Sequence, residues 1–286
     1  MTADRWTRMV RQQVGLGRFL PLGGPYDGAW IAERAAGGAL REAAEREVPE
    51  VRLDGVRLGL ADPDRAADPA VPPPPSALPP GPLRLTAEFA ATAAWPLPET
   101  ASRLRTALAV AATERLGLDV AEVDLRVTEL LDAEPSTARS GTAGTPGGAT
   151  GAGAADTPEG AGAPDAARVA GPSGGAGARD TAHAFGSDAA AGAADDRGAG
   201  PQGERVADAV LGVPGVSRLT GVWGRAVRLG EQGAGVGGAL PRRHARVDLA
   251  VAAGFRPLEV ARAVRAAVAE ALPDRPTVAV LVTDLD

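Results

Sequence analysis

Two stretches of this chain, 82–132 and 243–286, repeat one pattern of strand, helix and strand, and that repetition restricts the fold more than any other feature. In the later copy Ala245, Val247, Leu249 and Val251 alternate with Arg246, Asp248 and Ala250, the period of a strand. Pro257 and Glu259 suit a first helical turn. Proline's missing N–H costs nothing there, and the acid meets the positive end of the helix dipole. Val260, Val264, Val268 and Leu272 recur at helical spacing, Pro273 and Pro276 end the helix, and Val278, Val280 and Val282 make the closing strand. In the earlier copy Leu83, Leu85, Ala87 and Phe89 alternate with Arg84, Thr86 and Glu88. Pro96, Pro98 and Glu99 open a helix whose stripe includes Thr100, Leu104, Leu108 and Ala111, and Gly117 stops it. Val123, Leu125 and Val127 form the last strand, with Asp124, Arg126 and Thr128 facing out.

The likeness extends upstream of both copies. Residues 30–48 read as a helix ended by Pro49, and Val51-Arg52-Leu53 and Val56-Arg57-Leu58 as one or two short strands. Order resumes at Glu204 with a short helix through Val206 and Val210, then Ala226-Val227-Arg228-Leu229 as a strand. Val48-Pro49-Glu50-Val51 matches Val213-Pro214-Gly215-Val216, and Val56-Arg57-Leu58-Gly59 matches Val227-Arg228-Leu229-Gly230. Trp95 through Leu108 matches Phe255 through Val268, and Val127-Thr128-Glu129-Leu130 matches Val282-Thr283-Asp284-Leu285. Shared order and spacing imply duplication. The expected fold class is α+β: two small modules, 30–132 and 204–286, each running α-β-β-α-β and each a mixed three-stranded sheet packed with helices. The first two strands pair antiparallel, and a right-handed helical crossover sets the next two parallel.

Other segments connect these units. A proline-rich insert, 61–82, splits the first hairpin, and 230–242 reads as a glycine-rich hairpin loop. From 133 to 203 the chain is dominated by Gly, Ala, Ser, Thr, Pro and Asp without apolar periodicity. Such a stretch cannot bury enough surface to offset about 1–2 kcal/mol of backbone entropy per residue, so it reads as a disordered linker. A flexible chain of that length reaches roughly 45 Å. In the N-terminal segment, 1–29, Trp6, Met9 and Val10 share a face ringed by Arg5, Arg8 and Arg11. Such a helix fits an anionic membrane surface or packs on its own domain. Gly15-Leu16-Gly17-Arg18 resembles part of a phosphate loop but has no strand before it, and Leu20-Pro21-Leu22-Gly23-Gly24-Pro25 reads as turn.

Composition removes whole classes of chemistry. The chain has no Cys, which excludes disulfides, cysteine zinc sites and thiol catalysis, and its two His make a metal site an unfavoured reading. No catalytic, cofactor-binding or metal residue is assigned, and neither a cofactor nor a small-molecule substrate is expected. A net charge of −6 argues against a generic nucleic-acid binder. No apolar run reaches about 18 residues and no apolar core follows the N-terminal arginines, so neither a transmembrane helix nor a secretory signal is expected. The expected location is the bacterial cytoplasm.

The chain resembles the alkaline-shock-protein family of bacterial envelope stress response proteins, in a tandem form. The resemblance rests on the Val213-Pro214-Gly215-Val216 helix end, the Val247-Asp248-Leu249 strand, the Pro257-Leu258-Glu259-Val260-Ala261 helix start and the terminal Val280-Leu281-Val282-Thr283-Asp284. It covers the second module well. The first departs from it, with Glu50 in place of the glycine and an insert in the hairpin. The resemblance implies a non-enzymatic domain that self-associates as a homo-oligomer. It also implies a small membrane-anchored partner that holds the protein near the inner face of the membrane, and a role in envelope homeostasis.

The side chains offer few candidates for chemistry. Glu99 and Glu259 would make general acids only in a desolvated pocket; each sits instead at a helix start, where the helix dipole explains it. His244 at a strand entrance reads as a pH-sensitive group or a solvated end. Trp95 and Phe255, at equivalent strand–helix junctions, read as core anchors ahead of base-stacking platforms. Arg256, Arg262 and Arg265, with Arg103 and Arg105 in the first module, form the candidate interaction surface. They could meet an acidic partner, lipid headgroups or phosphates, or merely be solvated. The alternative to a structural interaction protein is a nucleic-acid-binding module of KH-like α+β type, against which stand the acidic balance and the lack of a Gly-x-x-Gly clamp between helices.

Overall fold

The computed structural model describes residues 15–93, 95–131, 200–221, 224–232 and 242–286. The basic helix around Trp6, the expected linker up to residue 199 and most of the glycine-rich hairpin loop lie outside the described residues. In chain order the elements are β1 (Phe19–Pro21), β2 (Ala29–Ala32), α1 (Glu33–Glu47), β3 (Val51–Leu60), β4 (Leu83–Thr92), α2 (Leu97–Val110) and β5 (Val120–Leu131). Then follow α3 (Pro201–Leu211), β6 (Val216–Leu219), β7 (Val227–Gln232), β8 (Arg242–Val251), α4 (Pro257–Ala271) and β9 (Thr277–Leu285).

Both modules have the expected α-β-β-α-β path. In the first, β3 and β4 pair antiparallel and β4 and β5 pair parallel. In the second, β6 and β7 both pair antiparallel with β8, and β8 pairs parallel with β9. β6 ends at Leu219 and β7 begins at Val227, where the first module has one bulged strand, β3. The register matches residue by residue. Phe89 faces Val127 and then Ala90 faces Glu129, which leaves Thr128 in a bulge. Leu249 faces Val282 and then Ala250 faces Asp284, which leaves Thr283 in the same bulge. Each bulged hydroxyl donates to the carbonyl opposite: Thr128 Oγ1 to Phe89 at 3.1 Å, Thr283 Oγ1 to Leu249 at 3.2 Å. Beside each bulge sits the same ion pair, Arg52–Glu129 at 3.1 Å and Arg218–Asp284 at 2.6 Å. A bulge is a local kink that must be specified, so its recurrence with its hydroxyl and its ion pair supports the duplication independently of apolar pattern.

The second sheet is larger than three strands. The hairpin of β1 and β2 adds to it, with β2 parallel to β9 and Ala29, Trp30 and Ile31 opposite Val280, Leu281 and Val282. The reading of 20–25 as turn and of 30–32 as helix is therefore corrected: Phe19-Leu20 and Trp30-Ile31 are buried strand residues, and α1 starts at Glu33. Runs this short carry no period to reveal them. Likewise Pro201, Gln202 and Gly203, read as linker, form the first turn of α3, with proline at its usual first-turn place.

The two modules share one core. Buried side chains of α1, β4 and α2 belong to the same cluster as those of β8, α4 and β9. The proline-rich insert closes over the N-terminal hairpin. Phe19 N–H donates to Ser76 O, Leu78 N–H to Phe19 O, and Val71 is buried. The turn after α2 supplies another contact. Gly117 sits at φ 90°, and a Cβ there would lie 2.5 Å from Leu258 Cβ. Only glycine allows both this left-handed backbone and so close an approach to α4.

Candidate interaction surface

Four of the five candidate arginines fasten one part of the fold to another. On α4, Arg262 holds the Asp27 carboxylate at 2.8 and 3.2 Å, and Arg265 donates to the Tyr26 and Asp27 carbonyls at 2.8 and 2.5 Å. These bonds fix the β1–β2 turn to the second module. The Arg262 hydrogen bonds hold the Asp27 carboxyl below its usual value. Arg256 reaches the first module, donating to Thr113 O at 2.8 Å, and also meets Glu259 at 3.3 Å. Arg103 on α2 pairs with the buried Glu50 and touches Glu47 O at 3.4 Å. Glu50, which stands where the second module has Gly215, thus has its own cation. Arg105 is the exception: it leans over the edge of the first sheet and donates to the Val123 carbonyl at 3.3 Å.

That edge is where the modules differ most. Among the described residues no strand covers the outer side of β5. Its counterpart β9 is covered by β2, and Val280 N–H donates to Gly28 O at 3.0 Å. The same residue types experience opposite environments. Val282 is fully buried, whereas its equivalent Val127 is 39% exposed; Leu130 is 57% exposed and Trp95, at the start of α2, 51%. Trp95 and Phe255 are therefore not core anchors. Both sit at loop ends where the apolar sheet has run out, and Phe255 is 49% exposed. A long uncovered strand with unpaired backbone groups and apolar neighbours is a template for another strand. Sequence pattern located β5 but not its open edge, because coverage depends on where the N-terminal hairpin docks.

The polar outer face also diverges. In the first module Glu122, Asp124 and Arg126 are exposed. In the second, Ala279 and Leu281 are buried, and so is Asp248, next to Leu281. Among the described residues the Asp248 oxygens accept no hydrogen bond, and Arg246 lies 3.5 Å away. Burial pushes the Asp248 carboxyl up to about 7, against the pull of Arg246 and Arg228. His244, half-buried beside Thr277 at 2.9 Å, is held below its usual value by burial and then by Arg246.

A cleft of about 960 Å³ lies between α1, the end of α2 and the loop 252–257. Its charges are mixed: Arg34, Arg46, Arg115 and Arg256 line it with Glu42, Glu114, Asp284 and Asp286. Several pair off, Arg46 with Glu42 at 2.5 Å and Asp284 and Asp286 with Arg218 at 2.6 Å. Glu259 meets Arg256 and Arg262, each at 3.3 Å, and Glu99 is exposed at the opening of α2. No group of three or more metal-ligating side chains occurs among the described residues. No protein-family model, curated protein or solved structure matches this chain.

Proposed function

We propose that this protein is a non-enzymatic structural and interaction protein of the bacterial envelope stress response. It works through its surfaces, associating with itself or with a small membrane-anchored partner at the inner face of the cell membrane. The open edge of β5 carries the reading: Val127 and Leu130 lie exposed on a strand whose counterpart, β9, is covered by β2. The tandem α-β-β-α-β path and the Val213-Pro214-Gly215-Val216 and Pro257-Leu258-Glu259-Val260-Ala261 motifs supply the envelope context through the family they resemble. Among the described residues no helix is long and apolar enough to cross a membrane. On this reading a separate anchored protein supplies the membrane contact.

The reading is tested in a deletion strain grown under alkaline or cell-wall stress. Loss of the gene sensitises the cells, the native chain restores growth, and a Val127→Glu, Leu130→Glu double variant that melts normally fails to restore it. Full complementation by that variant, or a deletion strain indistinguishable from its parent, contradicts the proposal.

A further inference from the structure

We propose that the partner strand at β5 is β5 of a second copy, paired antiparallel about a two-fold axis at Leu125. This rests on the reading of β5 as a docking edge and goes on to name its occupant.

Backbone direction comes first. Arg105 bonds the Val123 carbonyl from outside the sheet, so that carbonyl points away from β4. Strand period two turns the N–H and C=O of Leu125 and Val127 the same way. The duplicate agrees: Val280, equivalent to Leu125, sends its N–H outward to Gly28. Residues Val123, Leu125 and Val127 therefore present donors and acceptors to the free edge. A second β5 centred on Leu125 matches them, Leu125 with Leu125 and Val123 with Val127, for roughly six backbone hydrogen bonds.

Side chains select the same register. Arg126 and Asp124 have side chains 78% and 63% exposed, and among the described residues their ion pairs are long, to Glu88 at 3.7 Å and Arg84 at 3.6 Å. Centred on Leu125, each Arg126 lies across from Asp124 of the other copy, and Thr128 across from Glu122. An axis at Asp124 or at Arg126 sets like charges directly opposite, which is unfavourable. On the inner face Val127, exposed in one chain, meets Val123 of the other. The result is a continuous six-stranded sheet made from two three-stranded ones, the isologous contact a two-fold demands. Arg105 must swing aside, so it tempers the pairing. The contact is one strand wide, so the dimer is concentration-dependent.

Sedimentation equilibrium on the full chain tests this. The native chain shows a reversible monomer–dimer equilibrium. Asp124→Arg and Arg126→Glu, each checked for unchanged melting, each weaken it roughly tenfold or more by opposing like charges. Mixing the two variants, or combining both changes in one chain, restores the dimer, while Arg105→Ala strengthens it. Oligomers that ignore these swaps overturn the β5 pairing and leave self-association through another surface. A strict monomer at every concentration overturns the pairing as well. If that monomer still needs Val127 and Leu130 to complement the deletion, the docking edge stands with a different protein as its occupant.

Discussion

Asp248 is the residue whose environment most departs from its chemistry. A carboxyl on a strand face ordinarily points to water, and its equivalent in the first module, Glu88, is exposed; here the side chain is fully buried. With its folded value raised to about 7 from 3.8, the folded state binds the proton that the unfolded state releases between those values. Stability from this group is complete below pH 4, is lost as pH rises toward 7 and is level above it. A shift of this size corresponds to about 4 kcal/mol at most. Asp248→Asn therefore flattens the urea midpoint between pH 4 and 7, where the native chain loses stability; equal slopes in both proteins would show that Asp248 is solvated. Asp27 and Asp54, each held low by an arginine, act in the opposite sense and only below about pH 4.

At the scale of elements, helix α4 shows what sequence pattern captures well. Val260, Val264 and Val268 are buried and recur at helical spacing, and Pro273 follows the helix end. Val264→Asp places an unpaired charge in the core and costs several kcal/mol; an unchanged thermal melt would mean that the helix is rotated from the orientation described. Both β-α-β units were legible for the same reason: long periodic segments declare which face is buried. Three things were not. The N-terminal hairpin is too short for periodicity, and its partner β9 lies some 250 residues away in sequence. The separation of β6 from β7 falls in a stretch, 220–226, too short and mixed to carry a strand period. The arginine surface was named by residue type, yet four of those five side chains fasten one part of the fold to another, because a guanidinium reaches carbonyls that sequence cannot place.

The described residues form two related units that share a core but close their sheets differently. The N-terminal hairpin completes the second sheet and hands the chain to α1 of the first. Gly117 against Leu258 and Arg256 on Thr113 join them further. Both modules should then unfold in one transition. Gly117→Ala, which adds left-handed strain of about 1–2 kcal/mol and a clash, should lower that single transition. Two separate melts, only one of them moved by the change, would show independent modules. Charge swaps on β5 lie outside this shared core and should leave the melt in place.

The contrast between a covered β9 and an open β5 is read most directly by residue-resolved amide hydrogen exchange on the intact chain at several concentrations. The outward amides of Val123, Leu125 and Val127 should exchange fast when dilute and slow down as concentration rises, while Val280 and Val282 stay protected throughout. Protection of β5 at the lowest concentration, equal to that of β9, would mean that the edge is already closed within one chain.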